Sequence, residues 1–107
     1  MAYDEDLADR LRELTAAVPG LSEKKMFGGL AFLVNGNMAI AASGQGGLLV
    51  RVDPDESDEL TREPGVDVMV MRGRAMAGWL RVDATADDDL VPWVDRGVGF
   101  ASSLPPK

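Results

Sequence analysis

Two short segments of the sequence carry the residues best suited to binding a ligand. The first is Lys24-Lys25-Met26-Phe27-Gly28-Gly29, where the backbone amides around paired glycines can surround an anion and the lysines can neutralise it. The second is Arg72-Gly73-Arg74, in which two guanidinium groups flank a glycine and can hold a carboxylate or a phosphate. Trp79 follows five residues after Arg74 and could add an aromatic contact.

Each of these features also has an ordinary structural explanation. Gly28-Gly29 lacks the Lys, the Ser or Thr and the following helix of a phosphate-binding P-loop, and a β-bulge or a close strand-to-helix contact explains the pair equally well. Lys24 and Lys25 can protect the edge of a sheet. The arginines can neutralise nearby acids. Met26 and Phe27 are neighbours, so in a strand one points inward and the other outward. Trp79 is expected to pack beneath a helix.

The residue types argue against catalysis. The sequence contains neither cysteine nor histidine, which excludes thiol nucleophiles, imidazole bases and metal sites with thiolate or imidazole ligands. Carboxylates are abundant, but Asp53 and the run Asp87-Asp88-Asp89 resemble helix caps and form no recognisable acid-base pair. We therefore expect a protein that is not an enzyme and that has no cofactor and no metal site.

The charge balance indicates what kind of partner to expect. Eleven Lys and Arg against eighteen Asp and Glu give a net charge of −7, which repels a phosphate backbone and disfavours direct nucleic-acid binding. A protein partner is the better expectation. No apolar stretch approaches the roughly 18 residues of a membrane span, and the acidic N-terminus does not resemble a signal peptide, so a cytoplasmic location without membrane contact is predicted.

Hydrophobic periodicity predicts alternating helices and strands. Asn35-Gly36 predicts a hairpin turn because both residues tolerate positive φ, and Asp53-Pro54 predicts the start of a helix. The last helix should begin with Asp87, Asp88 or Asp89 as its cap and hold Pro92 in its first turn. Predicted helices cover about residues 4–18, 54–62 and 87–104, and predicted strands cover about 23–34, 38–41, 48–52, 66–71 and 79–82.

The order is therefore α-β-β-β-α-β-β-α in one domain over residues 1–107. Short connections between strands require antiparallel pairing, and helices at both ends and in the middle can cover one face. The expected fold is α+β, a two-layer sandwich of a five-stranded antiparallel sheet with helices.

The motifs carry a family resemblance. Met26-Phe27-Gly28-Gly29, the segment from Arg72 to Trp79 and the closing Ser103-Leu104-Pro105-Pro106 together resemble the N-terminal domain of the TfoX/Sxy family of bacterial competence regulators. The resemblance implies the same order of elements, in a fold shared with secretion-chaperone-like proteins, and a role in transcriptional regulation through other transcription components. Full-length regulators carry a further C-terminal domain, for which 107 residues leave no room.

These observations lead to a predicted function and an alternative. The prediction is a non-enzymatic protein-interaction module, with a contact surface formed by Lys24, Lys25, Met26, Phe27, Gly28, Gly29, Arg72, Arg74 and Trp79. A homodimer, as in chaperone-like proteins, is compatible with it. The alternative is a domain that binds a small molecule or a phosphate ligand through Gly28-Gly29 and Arg72-Gly73-Arg74.

Overall fold

The computed structural model describes residues 3–26, 28–44, 47–71, 73–83 and 87–105. These residues form three helices and six strands in one antiparallel sheet. The helices are α1 (Glu5–Thr15), α2 (Pro54–Leu60) and α3 (Asp87–Ser103). The strands are β1 (Leu21–Met26), β2 (Gly29–Val34), β3 (Asn37–Ala42), β4 (Leu48–Arg51), β5 (Val66–Met71) and β6 (Arg74–Val82).

The α+β class is confirmed, but the predicted number of strands is wrong. The sheet has six strands among the described residues, in the order β1-β2-β3-β4-β6-β5. The predicted strand over 23–34 is two strands, β1 and β2, which pair with each other from Leu21 opposite Val34 to Met26 opposite Gly29. Gly28 stands in the turn at φ +74°, a backbone conformation that favours glycine. The predicted Asn35-Gly36 turn does connect β2 to β3, with both residues at positive φ.

The predicted strand over 79–82 begins earlier, at Arg74, and the resulting strand β6 contains a large bulge. Val68 of β5 pairs with Leu80, whereas the next residue, Met69, pairs with Met76. The intervening residues of β6 include Gly78, whose N–H donates to Ser57 Oγ at 3.3 Å and whose carbonyl accepts from the Val52 N–H at 2.8 Å. The bulge thus fastens β6 to the start of α2.

Side-chain caps define the starts of the first two helices. Asp4 accepts hydrogen bonds from the N–H groups of Asp6 and Leu7, and Asp53 accepts one from Asp55, as the sequence predicts for Asp53. The prediction for α3 is wrong in detail. Its first turn already contains Asp87, Asp88 and Asp89, so none of them is the cap, and Pro92 is the sixth residue of the helix.

All three helices pack on one face of the sheet. The main core joins helix residues such as Leu11, Leu60 and Leu90 to strand residues such as Phe32 and Leu80. Leu90, Val94 and Ala101 of α3 are buried and lie on the side of the helix that faces the core. The helix approaches β3 so closely that a Cβ on Gly97 would lie 2.5 Å from the Ala39 carbonyl oxygen.

An ion pair attaches α1 to the edge strand β1. Arg12 Nε lies 3.0 Å from Glu23 Oε1, and Arg12 also contacts Asp9 at 2.7 Å. The hydrogen bond with Glu23 is the main reason that the pKa of Arg12 is raised above its already high value.

Candidate functional site: the helix-free face of the sheet

The face of the sheet opposite the helices carries a second apolar cluster. Ala31, Met38, Ala41, Leu49 and Met69 form it, and within the described residues no helix side chain belongs to it. Half-buried residues surround this cluster, namely Leu33, Met76 and Trp79. We call this side of the sheet the helix-free face. Its apolar centre is unusual, because the solvent side of an antiparallel sheet is normally polar.

Two bulges help to place methionines on the helix-free face. In β3 the extra residue is Ala39, so that Ile40 faces the helices while Met38 faces away from them. In β6 the bulge at residues 77–79 puts Met76 opposite Met69. A regular two-residue alternation from Leu80 would have turned Met76 toward the helices. Methionine is flexible and polarisable, which suits a surface that must adapt to a contact.

An arginine connects the helix-free face to α3. Arg51 pairs with Trp79 across β4 and β6, and its guanidinium carbon lies 5.2 Å from the Trp79 ring centre. The same carbon lies 5.7 Å from the ring centre of Phe100 on α3. Both separations fall within the range of cation–π attraction. Arg51 and Trp79 are both half-buried, so these contacts fix the position of the ring at the border of the apolar cluster.

Cations predominate among the charged strand residues of the helix-free face. Lys24 pairs with Ala31 and Arg81 pairs with Leu49, two members of the apolar cluster. Arg74 occupies the same side of β6 as Met76, two positions along. Together with Arg51 these make four cations. The one acidic strand residue on this side is Asp67, directly opposite Arg81. The helix-free face is therefore basic on a protein whose net charge is −7.

The excess of acid lies in the helices. The α1 sequence contains Glu5, Asp6, Asp9 and Glu13, and that of α2 contains Asp55, Glu56, Asp58 and Glu59. Both helices carry two acids in the first turn, where the helix dipole favours negative charge. The two layers of the domain consequently differ in net charge, because carboxylates predominate in the helices and cations outnumber acids among the strand residues of the helix-free face.

The structure separates the two predicted ligand-binding segments. The β1–β2 turn and the β5–β6 turn lie at opposite ends of the strands, because the six strands alternate in direction. They also belong to opposite halves of the sheet, since three strand spacings of about 4.8 Å separate β2 from β6. A single phosphate or small molecule cannot contact Gly28-Gly29 and Gly73-Arg74 together. The predicted joint ligand site is therefore wrong, and Phe27 and Arg72 lie outside the described residues.

The remaining predicted site residues divide between the two faces. Lys24 occupies the helix-free face, whereas Lys25 pairs with Leu30 of the main core and occupies the other side. Trp79 does not pack beneath a helix as predicted, but borders the apolar cluster of the helix-free face. Arg74 is exposed at the start of β6. Met26 ends β1, and its side chain is not among those described.

The paired glycines have different structural roles. A Cβ on Gly29 would lie 2.1 Å from the carbonyl oxygen of Ala42, so the pair is explained by close backbone packing, against β3 and not against a helix. A Cβ on Gly28 would meet nothing within 4 Å, and its positive φ is the reason for glycine there. Neither glycine lines either of two clefts of about 350 Å³ each that the described residues form.

Those clefts lie away from the predicted residues. One is at the end of the sheet and is lined by Asp67, Arg81 and Asp83 with Gly47 and Gly65. The other lies between α2 and α3 and is lined mainly by acids, namely Glu56, Glu59 and Glu63, with Leu60 and Arg96. Among the described residues no three acidic side chains are grouped so that they could hold a metal ion.

Sequence reasoning missed several residues of the helix-free face. Met38, Leu49 and Arg51 were not among the predicted contact residues, although they form its centre and its aromatic border. The available signal was strand alternation, which places Leu49 and Arg51 on the side opposite Val50. Predicting the face on which Met38 lies required knowledge of the bulge at Ala39, which no turn residue indicates.

These features describe a small α+β domain with helices on one side of a six-stranded sheet and a basic, partly apolar surface on the other. The family model of the TfoX N-terminal domain matches residues 13–101 of the 107, and the chain belongs to this family. The resemblance drawn from the motifs is thereby confirmed. A comparison with curated proteins gives no significant match. Within the described part of the chain, no helix combines the length and the apolar character needed to cross a bilayer.

Proposed function

We propose that this protein is a non-enzymatic protein-interaction module that takes part in transcriptional regulation and that it contacts its partner through the helix-free face. The observation that carries the proposal is the group of half-buried apolar residues Leu33, Met76 and Trp79, which packs against the buried cluster around Leu49 and Met69 and has cations beside it. Contact surfaces typically combine an apolar centre with aromatic, Met and Arg residues. The regulatory role follows the resemblance to competence regulators that the family membership supports.

The charge of the helix-free face defines the chemistry of the partner. Four cations against one acid among its strand residues give this side a positive charge on a protein of net negative charge, so an acidic partner segment is attracted to it and repelled by the acidic helices. A protein segment fits better than a nucleic acid, because the half-buried Leu33, Met76 and Trp79 offer apolar surface and not phosphate contacts. The partner segment should therefore combine carboxylates with apolar side chains.

A complementation experiment with matched variants tests the proposal. The host gene is deleted, and transcript levels are measured after complementation with the wild type, with Lys24→Glu/Arg74→Glu or with Lys25→Glu/Arg62→Glu. Both double variants change the same residue types at exposed positions, but only the first alters the helix-free face. We expect the first to fail and the second to restore the wild-type profile.

Two results would contradict the proposal. If deletion leaves every transcript unchanged, the regulatory part of the proposal is wrong. If both double variants complement equally, with thermal unfolding showing that both are folded, the helix-free face is not the contact surface. A gel-shift titration at about 50 mM salt tests the nucleic-acid option, since phosphate binding would be strongest there and would weaken steeply as salt is added.

A further inference from the structure

The two edges of the sheet differ in how they are protected. The edge strand β1 carries Glu23, Lys24 and Lys25, and such charges discourage pairing with another chain. The other edge strand, β5, has the sequence Val-Asp-Val-Met-Val-Met, with Asp67 as its single charge. Val70 on this strand is 60% exposed, the higher of the two exposed large apolar side chains among the described residues.

This edge has the properties of a strand that pairs with another chain. It is six residues long, rich in β-branched residues and has no strand partner on its outer side in the described residues. The outward N–H and C=O groups of such a strand are satisfied by an added strand without any rearrangement of the sheet. We infer that β5 pairs antiparallel with the β5 strand of a second copy of this chain, which joins two six-stranded sheets into one.

A second copy fits the β5 edge better than other occupants do. Pairing β5 with the β1 edge of another copy would place Lys24 and Lys25 beside valines, and it would leave free edges from which growth continues. Like-with-like pairing about a two-fold axis joins apolar residues to apolar residues and stops at two copies. The edge that remains outermost in that dimer is β1 on each side, which is the charged one.

The register follows from the symmetry and the charges. In an antiparallel pair, residues directly opposite each other point to the same side of the sheet. A two-fold axis perpendicular to the sheet must therefore place one residue directly opposite its own copy. With Met69 on the axis, Val68 opposes Val70 of the partner subunit, and the exposed valine becomes covered. Asp67 then lies two strand spacings, about 10 Å between Cα atoms, from Arg74 of the partner subunit, a distance that the two side chains can span.

The test is the oligomeric state of the full chain. Sedimentation velocity is measured from about 1 to about 300 µM, because an interface of this size gives weak association. Wild type should dimerise, Val70→Lys should weaken dimerisation at least tenfold, and Val91→Lys should have no effect. Val91 on α3 is the matched control, since it is also an exposed valine at 42%. A wild type that stays monomeric throughout, or a dimer that Val70→Lys leaves intact, overturns the inference.

A crosslinking measurement keeps the inference testable even if the Val70→Lys variant does not fold. The sequence has no cysteine, so Val70→Cys introduces a single thiol. In the proposed register the two Val70 Cα atoms lie about 8 Å apart, which a short bismaleimide can span. We expect covalent dimers for Val70→Cys and none above background for Val91→Cys. Equal yields from the two positions contradict the inference. The helix-free faces stay open in this dimer, so its loss need not abolish partner binding.

Discussion

The guanidinium of Arg51 lies over the ring of Trp79 on the neighbouring strand, with 5.2 Å between its central carbon and the ring centre. On its other side the same group lies 5.7 Å from the ring centre of Phe100. Arg51 thus connects the border of the helix-free face to the last helix of the main layer. The helix-free face and the packing of α3 are therefore linked through one side chain.

Replacement of Arg51 by alanine should destabilise the domain. Two cation–π contacts at a half-buried site disappear, and their loss corresponds to about 1 to 2 kcal/mol in the free energy of unfolding. Urea denaturation at neutral pH measures the change. Arg74→Ala is the control, because this exposed arginine makes no such ring contact among the described residues and should shift stability by less than about 0.5 kcal/mol. Equal losses in the two variants would refute the structural role of Arg51.

The paired glycines should respond differently to alanine. Gly29→Ala places a Cβ 2.1 Å from the Ala42 carbonyl oxygen, so β2 and β3 must move apart, and we expect a loss of about 3 kcal/mol. Gly28→Ala meets no neighbour and suffers only from its positive φ, a loss of about 1 kcal/mol. Chemical denaturation of both variants tests this order. If the Gly28 variant is less stable than the Gly29 variant, close packing of Gly29 against Ala42 does not explain the glycine pair.

Two glycines of α3 should give effects of opposite sign. Gly97→Ala directs a Cβ to 2.5 Å from the Ala39 carbonyl oxygen, and the displaced helix should lose about 2 kcal/mol despite its better helix propensity. Gly99→Ala meets nothing within 4 Å and should gain about 1 kcal/mol from propensity alone. Thermal and urea unfolding report both changes. Stabilisation by Gly97→Ala would mean that α3 does not lie against the β3 bulge.

Much of the fold could be predicted because local signals determine it. Asn35-Gly36 forms the hairpin turn that its φ preferences favour, and Asp53 caps α2 before Pro54 as expected. The helical spacing of Leu90 and Val94 in α3 indicates one apolar side, and both residues are buried. The division between β1 and β2 was missed because the whole of 23–34 was interpreted as one strand, although a glycine such as Gly28 can adopt the positive φ of a tight turn.

The helix-free face was harder to predict because it depends on long-range pairing. Neighbouring β4 and β6 are separated in sequence by α2 and β5, and only this pairing brings Arg51 beside Trp79. The bulge in β6 reverses the face of Met76, and it is fixed by contacts of Gly78 with Ser57 and Val52 that are distant in sequence. Trp79 was expected in the core because aromatic residues usually are, whereas strand alternation from Leu80 already placed it outside.

Site-specific photocrosslinking from the helix-free face tests the central claim most directly. A benzophenone amino acid replaces half-buried Met76 in one variant and exposed Val91 on α3 in the other, and both are irradiated in the host cell. We predict that position 76 captures a protein with an acidic segment that position 91 does not capture, and that adding Lys24→Glu/Arg74→Glu lowers the yield at least tenfold. Capture of the same proteins from both positions, or a yield that the added carboxylates leave unchanged, would contradict the assignment of this face as the contact surface.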